Sequence, residues 1–440
     1  MNFVFSKRFY FLFLLGLVPL LFVSHLPILR WLVLIFDLFL ILLACYDNFS
    51  SKKASKVIRI ERLLDERYPV NDKALAKISV VNEGEKSLEI RIKDEIPFEV
   101  LLKSEREARL RIGSGEFAEF EYEFVPRRRG KFDFGKIAVQ RLSQFGLVWT
   151  QEKYGNAQSI MVFPNLRRAR ELELKALGAN NYLAVQRRSI RKGEGREFES
   201  LREYVRGDEL RHISWTATAR RSKLTTRQYQ VERDQTIITL VDCGRMMTAR
   251  IDHESKFDVA VEATLALTTA VTKGGDYCGI AIFGRKIKKY IPPKKGISQV
   301  EAAAQAFYDI EPALIESSYS RAFQFVSANL KKRAFVIILT DLVDRDSSKE
   351  LIKALRLLRP RHLPLVVTIG DRDLNKTVST VPTDIDDVFT QSAAEEVIYQ
   401  RDAALRQVEM MGGLALDVTT ATLAPELLQT YLRVKDRGLI

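Results

Sequence analysis

The sequence predicts a multidomain protein with an N-terminal transmembrane helical hairpin, an all-β sandwich and an α/β domain with a mostly parallel sheet. The first 50 residues hold two long apolar runs, residues 74–163 contain short alternating runs, and beyond residue 236 apolar strands alternate with helices. A chain of 440 residues, 46% of them hydrophobic, is long enough for more than one domain with a real core. We expect the divisions to fall at residues 1–50, 51–165, 166–235 and 236–440.

The two N-terminal apolar runs extend over residues 9–23 and 28–46, with only a short polar linker between them. Each run is close to the roughly 20 residues that cross a bilayer, so together they predict a helical hairpin with two spans. Lysines and arginines flank both outer ends, which places both termini and the following domains in the cytoplasm, at the inner membrane. A cleaved signal peptide is the weaker alternative, because no small-x-small site follows the first run.

Asp37 lies in the middle of the second apolar run, and Arg30 precedes it by two helical turns on the same face. An ionisable group at this depth is costly and usually faces protein or water. We interpret Asp37 as a neutral or hydrogen-bonded residue at a helix–helix contact. A proton or partner site is the alternative.

The region from residue 74 to 163 consists of short, partly alternating apolar runs broken by Gly, Pro, Asn and Asp. Strands at this spacing are typical of a β-sandwich of immunoglobulin-like type, although the Cys–Trp–Cys signature is absent. Nothing in this region points to catalysis, so we expect a spacer or docking module.

The alternation of strands and helices beyond residue 236 predicts a sheet covered by helices on both faces. Ligands bind such sheets beyond the carboxyl ends of the strands. Asp242 and Asp341 both come at such ends, so we expect the two acids to face one crevice. Before this sheet, residues 197–205 have the apolar spacing of a short amphipathic helix. The following segment LTTRQYQVE is predicted to be a strand that pairs with the first strand of the sheet.

A long pattern of specific residues lies between residues 195 and 247. It comprises Phe198, Leu201, Arg202, Tyr204, Gly207, Asp208, Arg211, Ile213, Trp215, Ala219 and Arg220. This pattern resembles the signature of the domain of unknown function 58 (DUF58) family, in which a core like that of von Willebrand factor A domains follows. Ser214 departs from the acid or amide usual at its place. The resemblance extends over nearly the whole chain.

The resemblance implies a membrane-anchored protein of bacteria and archaea with a von Willebrand A-like α/β domain. Members of the family are often encoded beside MoxR-type AAA+ ATPases, so the resemblance suggests such an ATPase as the protein partner. The biochemical role of the family is largely undefined.

The resemblance also implies a place for a metal site. In von Willebrand A domains a divalent ion is held by an Asp-x-Ser-x-Ser motif, a threonine from a later loop and a second aspartate. Asp242 takes the first place here and Asp341 the place of the second aspartate. Ser317 or Ser318 stands near the place of the threonine.

Both serines of that motif are replaced, by Gly244 and Met246, and neither replacement offers an oxygen ligand. We therefore expect no tightly bound cofactor, and at most weak binding of Mg²⁺ or Mn²⁺. Two carboxylates that converge repel each other unless a cation lies between them. Our hypothesis is that Arg245, or another arginine of the basic segment that precedes the sheet, replaces the ion.

The polar residues of the signature have a structural interpretation. We expect Asp208 to pair with Arg202 or Arg211, and Trp215 to pack under the sheet. The basic loop at residues 187–196 is expected to be exposed and to contact a partner.

The sequence contains no nucleophile–base arrangement, Walker A loop, Rossmann glycine run or zinc motif, so we expect a binding protein rather than an enzyme. The net charge of +13 fits an anionic membrane surface or an acidic partner as well as nucleic acid. The basic loop lacks the aromatic residues of single-strand binders, so no nucleic acid is expected.

The favoured function is a membrane-anchored cytoplasmic adaptor that binds a protein partner. One alternative is a metal-dependent ligand-binding protein. The other is a membrane-attached enzyme or nucleic-acid binder that uses residues 187–196 with Asp208, Arg211 and His212. The oligomeric state does not follow from the sequence.

Overall fold

The computed structural model describes residues 3–22, 28–53, 58–177, 197–205, 208, 210–230, 234–251, 254–342, 345–370, 372–382 and 384–439. The basic loop 187–196 and Gly207 of the signature lie outside the described residues. The chain divides into two compact units, residues 1–163 and 164–440.

The N-terminal apolar segment forms two helices that contact each other, α1 (Lys7–Leu17) and α2 (Leu29–Lys53). The α-helical part of the first run ends at Leu17 and continues as a 3-10 turn over Val18–Phe22. Pro19 explains this change, because proline lacks an N–H and disfavours helical geometry in the residue before it. Among the described helices, α2 is the one long and apolar enough to cross a membrane, over Leu29–Ser50. One of the two predicted spans, the second, therefore lies in a helix that meets this criterion.

The helical pair is joined to the β-rich part of the first unit at both ends. Strand β1 (Phe3–Phe5) precedes α1 and pairs antiparallel with β11 (Val148–Tyr154). Near the end of α2, the buried Asp47 carboxylate accepts hydrogen bonds from the Ser143 hydroxyl and from the backbone N–H groups of Phe145 (3.2 Å) and Leu147 (3.4 Å). Both ends of the helical pair are thus held at the same sheet.

Asp37 lies where α2 contacts α1. A Cβ atom placed on Gly16 of α1 would lie 3.1 Å from the Asp37 carboxylate oxygen Oδ1. That oxygen is buried and has no hydrogen-bond partner among the described residues.

The β-rich part has two antiparallel sheets, ordered β1-β11-β10-β5-β7 and β2-β4-β8-β6, and a third small sheet ordered β3-β12-β9. Alternate side chains of the strands point into one shared core, as in Ile78 and Val80, Ile90 and Ile92. The predicted sandwich is therefore present, and its immunoglobulin-like subtype stays a prediction. The remaining strands are β2 (Ile58–Leu63), β3 (Arg67–Pro69), β4 (Ala74–Asn82), β5 (Leu88–Lys93), β6 (Val100–Leu102), β7 (Glu107–Ile112), β8 (Phe117–Pro126), β9 (Gly130–Phe134), β10 (Ile137–Leu142) and β12 (Gln158–Phe163).

The second unit alternates strands and helices. Its strands are β13 (Glu197–Glu203), β14 (Thr225–Gln230), β15 (Thr236–Asp242), β16 (Arg250–Ile251), β17 (Glu254–Ser255), β18 (Tyr277–Phe283), β19 (Ile287–Lys294), β20 (Phe335–Thr340), β21 (Leu363–Gly370) and β22 (Leu414–Thr419). Its helices are α3 (Leu166–Leu177), α4 (Trp215–Arg221), α5 (Lys256–Lys273), α6 (Ser298–Phe307), α7 (Tyr319–Asn329), α8 (Arg345–Leu355), α9 (Arg372–Ser379), α10 (Ile385–Met410) and α11 (Leu423–Asp436). Short 3-10 turns cover Leu210–His212 and Arg245–Thr248.

The central sheet of this unit has the order β19-β18-β15-β20-β21-β22. All neighbours are parallel except β19, which runs antiparallel to β18. Apolar clusters lie on both faces of the sheet, as the nearly continuous apolar strands predict. If the six strands are numbered by their order along the chain, their order across the sheet is 3-2-1-4-5-6, which is the order of doubly wound folds. The order reverses between β15 and β20, which is where such sheets bind ligands.

The segment before the sheet differs from the prediction. Residues 197–203 form strand β13 rather than a helix, and β14 pairs antiparallel with β13 rather than with β15. The pairing register shifts between Phe198 and Ser200. A bulge of this kind inserts a residue, so apolar residues three apart fit a strand as well as a helix.

Candidate functional site

The buried carboxylate of Asp242 lies at the carboxyl end of β15, where the strand order reverses. It accepts hydrogen bonds from the Ser317 hydroxyl, from Thr340 Oγ1 (2.7 Å), from Tyr319 Oη (3.4 Å) and from the Gly244 N–H (2.8 Å). Four uncharged donors therefore surround this acid.

Burial raises the pKa of the Asp242 carboxyl above its ordinary value, and the hydrogen bonds from Ser317, Gly244 and Thr340 oppose this shift. Burial also raises the pKa of the Tyr319 phenol far above its usual range, with the nearby Asp242 charge adding to the effect. The phenol therefore stays protonated at neutral pH.

A loop at residues 309–318, which we call the cap loop, lies across the end of β15. The Ala313 N–H donates to the Cys243 carbonyl (3.0 Å), and the Arg245 N–H donates to the Ile315 carbonyl (2.8 Å). The close approach requires glycine at 244. A Cβ atom there would overlap the Ser317 hydroxyl and lie 2.9 Å from the Ile315 carbonyl oxygen.

Asp341 follows β20, the strand beside β15, and its carboxylate is also buried. Its two oxygens bind two buried cations: Lys256 Nζ lies 2.5 Å from Oδ2, and Arg401 Nη2 lies 3.0 Å from Oδ1. Lys256 is the first residue of α5. The start of that helix is fixed by a capping box in which Ser255 Oγ accepts from the Asp258 N–H (3.1 Å).

Arg401 comes from α10 and connects Asp341 to the next two strand ends. Its Nη1 lies 3.9 Å from the partly exposed Asp417 carboxylate of β22, which also accepts from Thr368 Oγ1 of β21 (2.9 Å). A Cβ atom on Gly370 would lie 2.9 Å from Arg401 Nη1, so the absence of a side chain makes room for the guanidinium. Lys256 and Arg401 thus balance Asp341 and Asp417, while Asp242 is held by uncharged donors.

The structure brings Asp242 and Asp341 to adjacent strand ends, as the sequence suggested, and it separates the two serines. Ser317 contacts Asp242, whereas the Ser318 hydroxyl donates to Glu350 Oε1 (3.3 Å). Arg245 has an exposed side chain, and the ion pairs of Asp341 are with Lys256 and Arg401 instead. The cations at the acid pair therefore come from helices α5 and α10 rather than from the segment that the hypothesis named.

The donor set does not fit a divalent ion. Mg²⁺ requires about six oxygen ligands in near-octahedral geometry. Each Asp341 oxygen is bound to a cationic nitrogen, and no oxygen-bearing side chain stands at positions 244 and 246. Within the described ranges, no group of three or more His, Cys, Asp or Glu side chains is arranged to hold a metal ion.

Three residues of the site, Lys256, Arg401 and Tyr319, were not predicted from the sequence. One signal was present for Arg401, which occupies the buried stripe of α10 seven residues after Ala394 and four before Leu405. A charged residue in such a stripe requires a buried partner of opposite charge. For Lys256 and Tyr319, we find no comparable pattern in the sequence.

The signature segment forms a small module around β13 and β14. Asp208 pairs with Arg202 Nη2 (2.6 Å) and accepts from the Val205 N–H (3.1 Å), and these contacts lower the pKa of its carboxyl. Ile213 is buried and forms a β-bridge to Thr226. The predicted pairing of Asp208 with Arg202 is therefore present.

The predicted burial of Trp215 is wrong, because 67% of this side chain is exposed. It begins helix α4, in which no residue is fully buried and Ala219 and Arg220 are exposed. Leu201 and Tyr204 are half-buried. The side chains of Phe198 and Arg211 lie outside the described part of the chain.

The model of the family described as "Protein of unknown function DUF58" matches residues 200–406. These residues, just under half of the chain, are similar to that family, and we call them the DUF58 region. The match confirms the resemblance that the signature indicated, and it includes both strand ends that carry Asp242 and Asp341.

Two proteins from other organisms are similar to part of this chain. "Uncharacterized protein Rv1480" of Mycobacterium tuberculosis (strain ATCC 25618 / H37Rv) is 26% identical over 223 residues, which make up 49% of this chain and 66% of that protein. "Uncharacterized protein YeaD" of Bacillus subtilis (strain 168) is 24% identical over 181 residues, or 40% of this chain and 41% of that protein. The chain therefore spans less than two thirds of the length of these relatives.

Two solved structures are similar at low identity. BatB from Bacteroides thetaiotaomicron is 12% identical, and the match covers 46% of this chain and 99% of that one with a TM-score of 0.28. The SpRpn10 VWA domain is 11% identical, covering 44% and 94%, with a TM-score of 0.29. The assignment of the α/β fold rests on the strand order of the sheet itself.

Proposed function

We propose that this protein is a membrane-anchored adaptor whose DUF58 region binds a protein partner at the carboxyl ends of β15 and β18. One observation carries the proposal: the point where the strand order reverses is closed by the chain's own side chains. Asp341 is neutralised by Lys256 and Arg401, and Asp242 is satisfied by hydroxyls and a backbone N–H. A site closed in this way has no open crevice for a small ligand, so a protein partner would bind its outer surface.

That outer surface, the strand-end face, consists of Arg245, Arg285, Leu314, Ile315 and Arg321. All five side chains are exposed, and Leu314 at the tip of the cap loop is 80% exposed. Backbone contacts hold the set together: the Arg245 N–H bonds to the Ile315 carbonyl, and Arg321 Nη1 donates to the Arg285 carbonyl (3.4 Å). Its three arginines outnumber Glu316, the exposed acid that follows Ile315, so the face fits an acidic partner surface with an apolar centre.

The nucleophilic groups near the sheet support binding rather than catalysis. Burial raises the pKa of the Cys243 thiol to about 11 and that of Cys278 to about 12, so both remain protonated at neutral pH. Burial lowers the pKa of His362, a residue with no described hydrogen-bond partner on either ring nitrogen. None of these groups is prepared to act as a nucleophile or a general base.

Membrane attachment is proposed from the first unit. Large apolar side chains of α2 are exposed along the candidate span, among them Trp31, Leu34, Ile35, Leu38 and Phe39. A continuous apolar surface of this length fits the hydrocarbon of a bilayer. Because both ends of the helical pair are held at one sheet, we infer that the pair enters and leaves on one side. The flanking lysines and arginines favour the cytoplasm, and hence the inner membrane, for that side.

The resemblance supplies a candidate partner, a MoxR-type AAA+ ATPase. The test is crosslinking in native membranes followed by capture of this protein, with the variant Arg245→Glu/Leu314→Asp on the strand-end face. Lys331→Glu/Lys332→Glu is the matched control, since both lysines are exposed in the turn before β20. We expect to capture an ATPase with the wild type and with the control, and to capture none with the variant of the strand-end face. Recovery of the same partner with all three proteins would contradict the proposal.

A further inference from the structure

We propose that the DUF58 region associates head to tail with a second copy of itself. The described residues of 197–230, which we call the hairpin module, would bind the N-terminal half of α10 in the neighbouring copy. Both surfaces are apolar, and they carry opposite charges. The proposal goes beyond the adaptor function and does not depend on it.

The hairpin module buries little of its own apolar surface. Its described buried side chains are Ile213, Ser214, Thr225 and Thr226, while Val205, Leu210, Trp215 and Leu224 remain exposed. Leu210 is 72% exposed. A two-stranded sheet is marginal in water unless it packs against another element. Large exposed apolar side chains on so small a module therefore mark it as a contact surface.

The charge on the hairpin module is positive once its internal pairs are counted. Asp208 is paired with Arg202 (2.6 Å), and Glu203 is paired with Lys223 (2.8 Å). Arg220 and Arg221 in the last turn of α4 and Arg227 on β14 are exposed. The module therefore presents Trp215 and Leu210 together with arginines. Tryptophan and arginine are enriched at the centres of protein interfaces.

Helix α10 presents the complementary surface. Its C-terminal half is anchored in the core by Leu405 and Val408, whereas its N-terminal half exposes Ile385 (74%) and Phe389 (70%), and Tyr399 is exposed just beyond that half. At 3.6 residues per turn these three side chains point within an arc of about 80°, so they form one helical stripe. A stripe of this kind on a folded domain is a surface for a partner.

The same half of α10 is acidic. Asp384, Asp386, Glu395 and Glu396 are exposed, and Asp384 caps the helix by accepting from the Asp387 N–H (2.7 Å). Arg401 is the one basic residue of the sequence from 384 to 402, and it is buried against Asp341. In a chain with a net charge of +13, this concentration of acid is complementary to the hairpin module.

A second copy satisfies both surfaces at once, whereas an anionic lipid surface would attract the hairpin module and repel α10. Because the two surfaces differ, the contact is heterologous, and each copy can bind one neighbour at each end. Such contacts build rings if they close and filaments if they do not. Copies anchored in one membrane would meet at high local concentration.

The test uses charge reversal in the full-length protein, reconstituted in detergent micelles and followed by sedimentation over a range of concentrations. We expect association of the wild type, and association at least about tenfold weaker with Arg220→Glu/Arg221→Glu or with Glu395→Lys/Glu396→Lys. The fourfold variant carrying both reversals should recover to within about threefold of the wild type, because opposite charges again face each other. Lys331→Glu/Lys332→Glu is the control and should associate like the wild type.

A second measurement locates the contact. A photoreactive amino acid at position 215 should crosslink to the 385–399 segment of an isotopically labelled second copy. A wild-type protein that stays monomeric, or reversed variants that associate as the wild type does, would overturn the proposal. So would a hairpin variant that loses only its binding to vesicles of anionic lipid, since that result would assign the module to the membrane.

Discussion

The buried ion pairs of Asp341 make the variant Asp341→Asn a sensitive probe of the closed site. The substitution preserves the shape of the side chain and removes its charge. Lys256 and Arg401, each with a side chain only 4% exposed, would lose a carboxylate that lies 2.5 and 3.0 Å from their nitrogens. Breaking a buried pair in this way costs about 3–5 kcal/mol, because Lys256 loses its described counter-ion and Arg401 keeps only Asp417, 3.9 Å away. A domain is stable by only about 5–15 kcal/mol, so the loss is a large share of the total.

The matched control is Asp242→Asn at the neighbouring strand end. This carboxylate is equally buried but contacts hydroxyls, which can turn to accept from an amide, and one N–H that can still donate to the amide oxygen. We expect it to cost less than about 1 kcal/mol, because it leaves no charge unpaired. The two variants differ in the charge of the partners and in little else.

The assay is hydrogen exchange of peptides from β15 and β20 in the full-length protein, which reports the local opening free energy. Exchange should be about 100-fold or more faster in Asp341→Asn and nearly unchanged in Asp242→Asn. The double variant Lys256→Met/Asp341→Asn should recover part of the loss, since it removes one of the uncompensated cations. Equal effects of the two single variants would show that the ion pairs of Asp341 do not stabilise the closed site.

Four further predictions concern pH, the metal, the glycine at position 244 and the contact that holds α2. Burial raises the pKa of folded Asp242, so its contribution to stability is complete below an ordinary aspartate pKa of about 4 and is lost as pH rises through the raised value. Asp242→Asn imitates the protonated form, so its melting temperature should match that of the wild type near pH 4 and should equal or exceed it at pH 7. A melting temperature of the wild type that rises relative to that of the variant with increasing pH would contradict this prediction. Millimolar Mg²⁺ or Mn²⁺ should leave the melting temperature of the wild type unchanged, and a rise that is lost in Asp242→Asn would reinstate a metal site. Gly244→Ser, which restores a motif serine, should cost about 1–3 kcal/mol in the same exchange assay through overlap with Ser317, without creating metal affinity. Asp47→Ala should leave the Ser143 hydroxyl and two backbone N–H groups without their acceptor and cost about 1–3 kcal/mol, seen as faster exchange in residues 143–148; unchanged exchange there would show that Asp47 does not hold α2.

The α/β fold and the meeting of two acids could be predicted because they follow from local patterns. The apolar runs of β15, β20 and β21 are buried on both faces, and burial of that kind leaves a continuous signal in the sequence. Asp242 and Asp341 come together because each ends or follows one of two adjacent parallel strands. Position along a strand is enough to locate them.

The partners of the acids could not be predicted in the same way. Lys256 and Arg401 reach Asp341 from two helices, and the rotation of a helix over a sheet is set by packing that one sequence does not reveal. The structure of the hairpin module was predicted wrongly for a different reason. Its bulge gave a strand the spacing of a helix, and its tryptophan is exposed although a large aromatic residue is more often buried. That exposure is the kind of departure that points to a binding surface.

The adaptor account is tested most directly by a photoreactive amino acid at position 314, at the exposed tip of the cap loop, in protein expressed in its native membrane. We expect one dominant crosslinked protein with an acidic surface, and no such product when the same amino acid is placed at exposed position 331. Equal products from both positions, or none from position 314 under conditions where crosslinking elsewhere in the chain succeeds, would contradict it.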